Sequence, residues 1–137
     1  MNSIFQNLAN GAGGTPQVVA FSRVVAKTNA QPLASYAVAA DSSFYVAGNV
    51  RTISGSTYSF SLIVSWTDET GNAGTRVLPG FTGGFSSGVI ANTDGFQVYT
   101  LFPMEFRVKG GTVISVAATG TFTSVNYNAE ASIIKIA

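Results

Sequence analysis

The 137-residue sequence predicts an all-β, antiparallel sandwich or barrel of about eight strands. Three observations predict this class. Short segments that alternate apolar and polar residues follow one another along the chain, fifteen glycines and four prolines supply turns between them, and no segment shows a convincing helical period. The length suits one domain with its own core. Periodicity alone leaves jelly-roll, immunoglobulin-like and barrel topologies open.

The clearest strand is the run 58–67, which reads Tyr-Ser-Phe-Ser-Leu-Ile-Val-Ser-Trp-Thr. Its even positions are large and apolar, and its odd positions are Ser or Thr except Ile63. Because strand side chains alternate between faces, the run has one apolar and one hydroxyl face, and Trp66 belongs to the core side. The cluster 68–72 predicts a turn, since its spacing does not match a calcium-binding EF-hand loop. The strand should therefore pair with 74–78 as a hairpin.

The first sixteen residues differ from the rest of the chain. Ile4, Phe5 and Leu8 can form one short apolar turn, which a glycine-rich hinge ending in a proline then follows. We predict a flexible N-terminal arm over 1–16 and a sandwich domain over 17–137. The arm is either an anchor onto a neighbouring protein, made by these three apolar residues, or an ordinary frayed terminus.

The remaining strands follow from β-branched and aromatic residues in alternating positions. Pro103 predicts a strand break or an edge position, and the glycine-rich run 79–95 predicts one long loop. Near the C-terminus the alternation slips by one, as a β-bulge or burial of the segment by a partner would cause. Strands are predicted over 17–27, 33–39, 43–53, 96–102, 104–109, 112–119 and 121–136.

Charged residues make up only 9% of the chain, against about 25% in a typical soluble domain, and the net charge is +1. A domain so poor in charge tends to self-associate. Either partners cover much of the surface, or the surface is simply neutral and polar. Tyr127, Ile134 and Ile136 are the candidate subunit-interface residues. Nucleic-acid binding is not expected, because the seven basic residues are scattered.

The chain has no His and no Cys, so the usual base for a serine nucleophile and any thiolate metal site are missing. The six carboxylates do not suggest a catalytic pair, since Glu105 and Glu130 fall on outward strand positions. We therefore predict no enzyme activity, no cofactor and no metal. The N-terminus lacks the features of a secretory signal, and no apolar run is long enough to span a membrane, so the chain is expected to be made in the cytoplasm.

A series of strand–turn–strand motifs covers about three quarters of the chain: 35–38, 41–50, 61–71, 75–78, 102–116, 119–122 and 125–131. Together these segments resemble small jelly-roll virion proteins of tailed bacteriophages, of the capsid-decoration or head-fibre kind. The arm and most of the glycine-rich loop lie outside this resemblance. The resemblance implies that the arm, through Ile4, Phe5 and Leu8, contacts a neighbouring capsid subunit.

The resemblance implies a two-sheet jelly roll that assembles as a homotrimer on a capsid surface and contacts the major capsid protein. No catalytic residue follows from it. The leading hypothesis is a capsid decoration, or cement, protein that stabilises a phage head through protein–protein contacts. The alternative is a carbohydrate- or receptor-binding module of a phage fibre or tail, in which exposed aromatic residues contact a glycan.

Overall fold

The structure, a computed structural model, describes residues 16–81, 89–91 and 98–136. These residues form antiparallel β-strands, and none of them belongs to a helix that could cross a membrane. The strands are β1 (Gln17–Lys27), β2 (Gln31–Ala37), β3 (Ser42–Thr67), β4 (Ala73–Val77), β5 (Gly80–Phe81), β6 (Ile90–Ala91), β7 (Val98–Val108) and β8 (Val113–Lys135).

Two long strands, β3 and β8, each belong to both layers of a sandwich. The first half of β3 pairs with the second half of β8, and the second half of β3 pairs with the first half of β8. Layer A contains β1, the second half of β8, the first half of β3, β7 and β5. Layer B contains β2, the first half of β8, the second half of β3, β4 and β6.

This pairing is a jelly roll. The strand segments are numbered 1 to 8 along the chain, with the two-residue β5 and β6 left out. They are β1, β2, the first and second halves of β3, β4, β7, and the first and second halves of β8. In these segment numbers the order is 1-8-3-6 across layer A and 2-7-4-5 across layer B. Two interlocked Greek keys give that order. The predicted fold class, an antiparallel two-sheet jelly roll of about eight strands, is confirmed.

A glycine lies at each of the two bends where β3 and β8 cross between layer A and layer B. Gly55 has φ +150° and Gly120 has φ +143°, values that side chains rarely tolerate. The β3–β8 register shifts between Thr52 and Ser59, beside these glycines. The prediction of separate strands on either side of each bend was therefore wrong, because a glycine lets the ladder turn a corner without ending.

The core lies between the layers, and aromatic rings join one layer to the other. Three ring pairs do so: Phe60 with Tyr127 (4.8 Å between centroids), Tyr36 with Phe44 (5.8 Å) and Trp66 with Phe106 (4.6 Å). Each such pair contributes about 0.5–1.5 kcal/mol beyond the area that it buries. The alternation predicted for 58–67 holds at the even positions from 58 to 64, which are all buried, and Trp66 packs half-buried against the core. Ser61, on the predicted hydroxyl face, is buried as well.

Three smaller predictions have clear outcomes. β4 pairs with β3 through Ile63 and Val77, so the predicted hairpin is confirmed. Pro103 does not end a strand; it lies inside β7, opposite a register shift between Val46 and Gly48. On the other side of β7, β5 pairs only with Thr100 and Leu101, so among the described strands Pro103 lies at an edge, which was one of its two predicted placements. At a bulge the backbone does not need to donate a ladder hydrogen bond, so the N–H that proline lacks is not missed. Near the C-terminus, β8 keeps its register with β3, and the shift lies in β1 instead.

Candidate functional site

The described residues contain no group of three or more acidic, His or Cys side chains that could hold a metal ion. The features that set this molecule apart lie instead on the outward faces of its two layers. We call them the outer A face and the outer B face.

The outer B face carries no charged side chain at its described outward strand positions. Arg76, the charged residue of β4, pairs with the inward-facing Val64 and so belongs to the opposite side of that strand. Solvent-exposed surfaces usually have about 25–35% charged residues. The outward positions are Pro32, Ser35, Ala37, Ser59, Ser61, Ile63, Ser65, Thr67, Ala73, Thr75, Val77, Val113, Ser115, Ala117 and Thr119.

Small hydroxyl residues cross the centre of the outer B face in one row. Ser115 pairs with Ser35 on one side and with Ser65 on the other, and Ser65 pairs with Thr75. Apolar side chains flank the row, and Val113 is 54% exposed. This face thus offers short, uncharged side chains that a partner can cover without desolvating an ion.

The outer A face, in contrast, has a polar groove across neighbouring strands. Arg23 pairs with Glu130, and Glu130 pairs with Asn49, so residues of β1, β8 and β3 lie side by side. Arg51 and Asn128 form the next pair along the same strands. Two adjoining open cavities of about 360 and 330 Å³ share Asn49 and Glu130. We use the name polar groove for Arg23, Asn49, Arg51, Asn128, Glu130 and Ser132.

Several hydrogen-bond donors and acceptors of the polar groove have no partner among the described residues. Arg23 Nε and Nη2 both donate to Glu130 Oε2, at 3.0 and 2.7 Å, which leaves Oε1 available. Asn128 Oδ1 accepts a bond from the Ala26 N–H at 2.8 Å, which leaves its amide nitrogen available. The Asn49 and Ser132 side chains have no partner among the described residues.

Beside the polar groove lies an apolar row. Val18 pairs with Ile134, and Ile134 pairs with Tyr45, so the three outward side chains adjoin one another. Val18 is 64% exposed and Tyr45 is 38% exposed. Ile134 and Ile136 are half-buried, and Ile136 N–H bonds to the Ser43 carbonyl. The structure therefore places both predicted interface isoleucines at or next to this row.

Tyr127, the third predicted interface residue, lies elsewhere. Its side chain is fully buried between the layers, where its ring contacts Phe60 and Phe122. Its hydroxyl donates to the Asn29 carbonyl at 2.7 Å, and burial raises its pKa to about 12. No surface of this side chain is left for a partner, so Tyr127 belongs to the core.

The turn 68–72 is held by one carboxylate. Asp68 Oδ1 accepts bonds from the Thr70 hydroxyl and N–H, at 2.6 and 2.9 Å, and from the Asn72 N–H at 3.0 Å. These bonds, the Thr70 hydroxyl foremost, lower the pKa of Asp68 below its usual value. Asp68 Oδ1, the oxygen that a calcium ion would use as a ligand, therefore already accepts hydrogen bonds within the turn.

The candidate arm residues Ile4, Phe5 and Leu8 lie outside the described residues, so their contact remains a prediction.

The polar groove was not predicted from the sequence. The sequence pattern placed Asn49 and Glu130 on outward positions, but the register that makes them neighbours links strands about eighty residues apart. Alternation gives a residue's face and not its partner across the sheet.

No protein-family model matches the chain, and no curated protein matches it. Several solved structures are similar to it in part. A family 22 carbohydrate-binding module of Clostridium thermocellum Xyn10B is 12% identical, with a TM-score of 0.42 over 88% of both chains. The CBM22-1–GH10 modules of the same xylanase give 13% identity and a TM-score of 0.42 over 84% of this chain.

The VP2 subviral particle of infectious bursal disease virus is 16% identical, with a TM-score of 0.30 over 88% of this chain. The chain spans about a fifth of the length of the xylanase chain and about two fifths of that of VP2. Similarity at this level says nothing about function.

Proposed function

We propose that this protein is a structural virion component, a capsid decoration protein that forms a homotrimer on the capsid surface and contacts the major capsid protein. The outer B face is the observation that carries the proposal. A sheet face of Ser, Thr, Ala, Val, Ile and Pro, without a charged residue at its described outward positions, suits burial against another protein.

The apolar row supports self-assembly. Val18, Tyr45 and Ile134 adjoin one another on the opposite side of the sandwich from the outer B face. A decoration protein needs two contact surfaces, one for its own copies and one for the coat. We assign the apolar row, with Ile136 beside it, to contacts between subunits and the outer B face to the coat.

The subunit contact is tested by light scattering coupled to size-exclusion chromatography. The wild type should have the mass of a trimer at micromolar concentration. Ile134→Lys should have the mass of a monomer, because burying an unpaired ammonium in the contact costs several kcal/mol. Ile53→Lys is the matched control, since Ile53 is 40% exposed and lies away from the apolar row.

Two outcomes would contradict the assignment. A wild type that remains monomeric removes the trimer altogether. An Ile134→Lys trimer, alongside a native circular dichroism spectrum, moves the subunit contact away from the apolar row. Ile53→Lys should match the wild type in both measurements.

A further inference from the structure

We infer that the polar groove of the outer A face is a binding site for a neutral saccharide. This inference does not depend on the proposed capsid role, since its residues belong neither to the outer B face, assigned to the coat, nor to the neighbouring apolar row, assigned to subunit contacts. The floor of the polar groove is made by outward residue pairs of β3 and β8, and β1 supplies Arg23 at one side. The pairs are Arg51 with Asn128, Asn49 with Glu130, and Ala47 with Ser132.

The chemistry of the unused groups points to hydroxyl ligands. The Asn49 amide offers a donor and an acceptor, Glu130 Oε1 offers an acceptor, and the Asn128 amide nitrogen offers a donor. A sugar hydroxyl both donates and accepts, so neighbouring hydroxyls on one ring can satisfy such a mixed set. A phosphate dianion only accepts, so it would leave the acceptor Glu130 Oε1 without a donor, although Arg23 and Arg51 lie beside it.

The shape and walls of the polar groove also suit a sugar. The two adjoining cavities, of about 360 and 330 Å³, are open along the sheet, so an oligosaccharide can lie across several strands. Val25 lines one cavity, and Leu101 and Pro103 line the other. Phe21 is 55% exposed and pairs with Ser132, so its ring lies beside the floor. The apolar faces of a pyranose can pack against such surfaces.

The Arg23–Glu130 pair keeps the floor in place. Both guanidinium bonds go to a single carboxylate oxygen, and the Arg23 guanidinium carbon lies 5.7 Å from the centre of the Phe21 ring. Glu130 is therefore oriented before any ligand arrives, which lowers the entropy that binding must overcome.

Affinity electrophoresis in gels that contain hydroxyethyl cellulose, xylan or galactomannan tests the inference. The wild type should be retarded by at least one of these neutral polysaccharides. Asn49→Ala and Glu130→Gln should each weaken that retardation roughly tenfold, because one or two hydrogen bonds to the ligand are lost. Asn29→Ala is the matched control: its side-chain oxygen bonds to Gln31 outside the polar groove.

A measurement on the unaltered protein guards against variants that misfold. Oligosaccharides of whichever polysaccharide binds should shift the NMR signals of the Asn49 and Asn128 side-chain amides. The inference is overturned if none of the three polysaccharides retards the wild type. It is equally overturned if folded Asn49→Ala is retarded as strongly as the wild type, or if the shifts fall outside the polar groove.

Discussion

At position 127 a large ring fills the core, and its hydroxyl needs a partner inside the fold. The Tyr127 ring packs against both Phe60 and Phe122, and the hydroxyl reaches the Asn29 carbonyl in the connection between β1 and β2. An unpaired buried hydroxyl would cost roughly 1–3 kcal/mol. This one hydrogen bond thus ties the β1–β2 connection to the aromatic core.

The raised pKa of Tyr127 predicts a loss of stability at high pH. In the unfolded chain the phenol loses its proton near pH 10, whereas the folded protein keeps it until about pH 12. Between these values the folded state binds more protons, so the free energy of unfolding should fall as pH rises, by as much as about 2–3 kcal/mol in total. Urea unfolding across this range measures the slope.

Tyr127→Phe is the control for that slope. It should remove this contribution to the pH dependence and cost about 1 kcal/mol at neutral pH, because the Asn29 carbonyl loses its donor. A wild-type slope that persists in Tyr127→Phe would assign the alkaline loss to other groups. The sequence could place residue 127 on an apolar face, but only the fold shows that its hydroxyl has a partner within the chain.

The bends in β3 and β8 determine how two layers arise from continuous strands. A Cβ on Gly120 would lie 2.6 Å from the Phe60 Cα, and φ there is +143°. Gly120→Ala should therefore lower the free energy of unfolding by at least about 2 kcal/mol, through both backbone strain and the close contact. Thermal or urea unfolding measures this loss.

Gly111 provides a matched comparison, since its φ is +83° and a Cβ there would meet nothing within 4 Å. Gly111→Ala should cost less than Gly120→Ala, because it carries the backbone strain without the contact. Equal losses in the two variants would show that the close approach at the bend contributes nothing.

The contribution of Asp68 to the stability of the hairpin between β3 and β4 should depend on pH in the acid range. Hydrogen bonds to Asp68 lower its pKa in the folded state below the unfolded value of 3.8. Their stabilisation is therefore present above that value and is lost as pH falls through the lower folded pKa. Asp68→Ala should be less stable than the wild type at neutral pH, and the difference should shrink in acid. A difference that stays constant with pH would contradict this role.

Local pattern was enough to place most strands and to separate inward from outward positions. It predicted breaks where Gly55 and Gly120 lie, because glycine usually punctuates a chain and only the opposite strand shows that the ladder continues. The polar groove was not predictable for a related reason. Asn49 and Glu130 become neighbours through a register between distant segments, which no local period encodes.

The few charges are unevenly distributed between the two outer faces of the sandwich. Arg23, Arg51 and Glu130 gather on the outer A face, whereas the described outward positions of the outer B face have none. With a net charge of +1, electrostatic repulsion between copies is weak. The outer B face is therefore suited to a protein partner alone, whereas the outer A face has both the polar groove for a hydrated ligand and the apolar row for subunit contacts.

This asymmetry predicts how the isolated protein behaves when no coat covers the outer B face. Uncharged strand faces associate readily, so the wild type should form species larger than its basic assembly as concentration rises. Ser115→Lys, at the centre of the hydroxyl row, should suppress those species, because each contact would then bury an ammonium.

Ala39→Lys adds the same charge at an exposed position between β2 and β3 and should have a much smaller effect. Static light scattering over a concentration series measures the difference. If the two lysine variants suppress the large species equally, net charge and not the outer B face controls association.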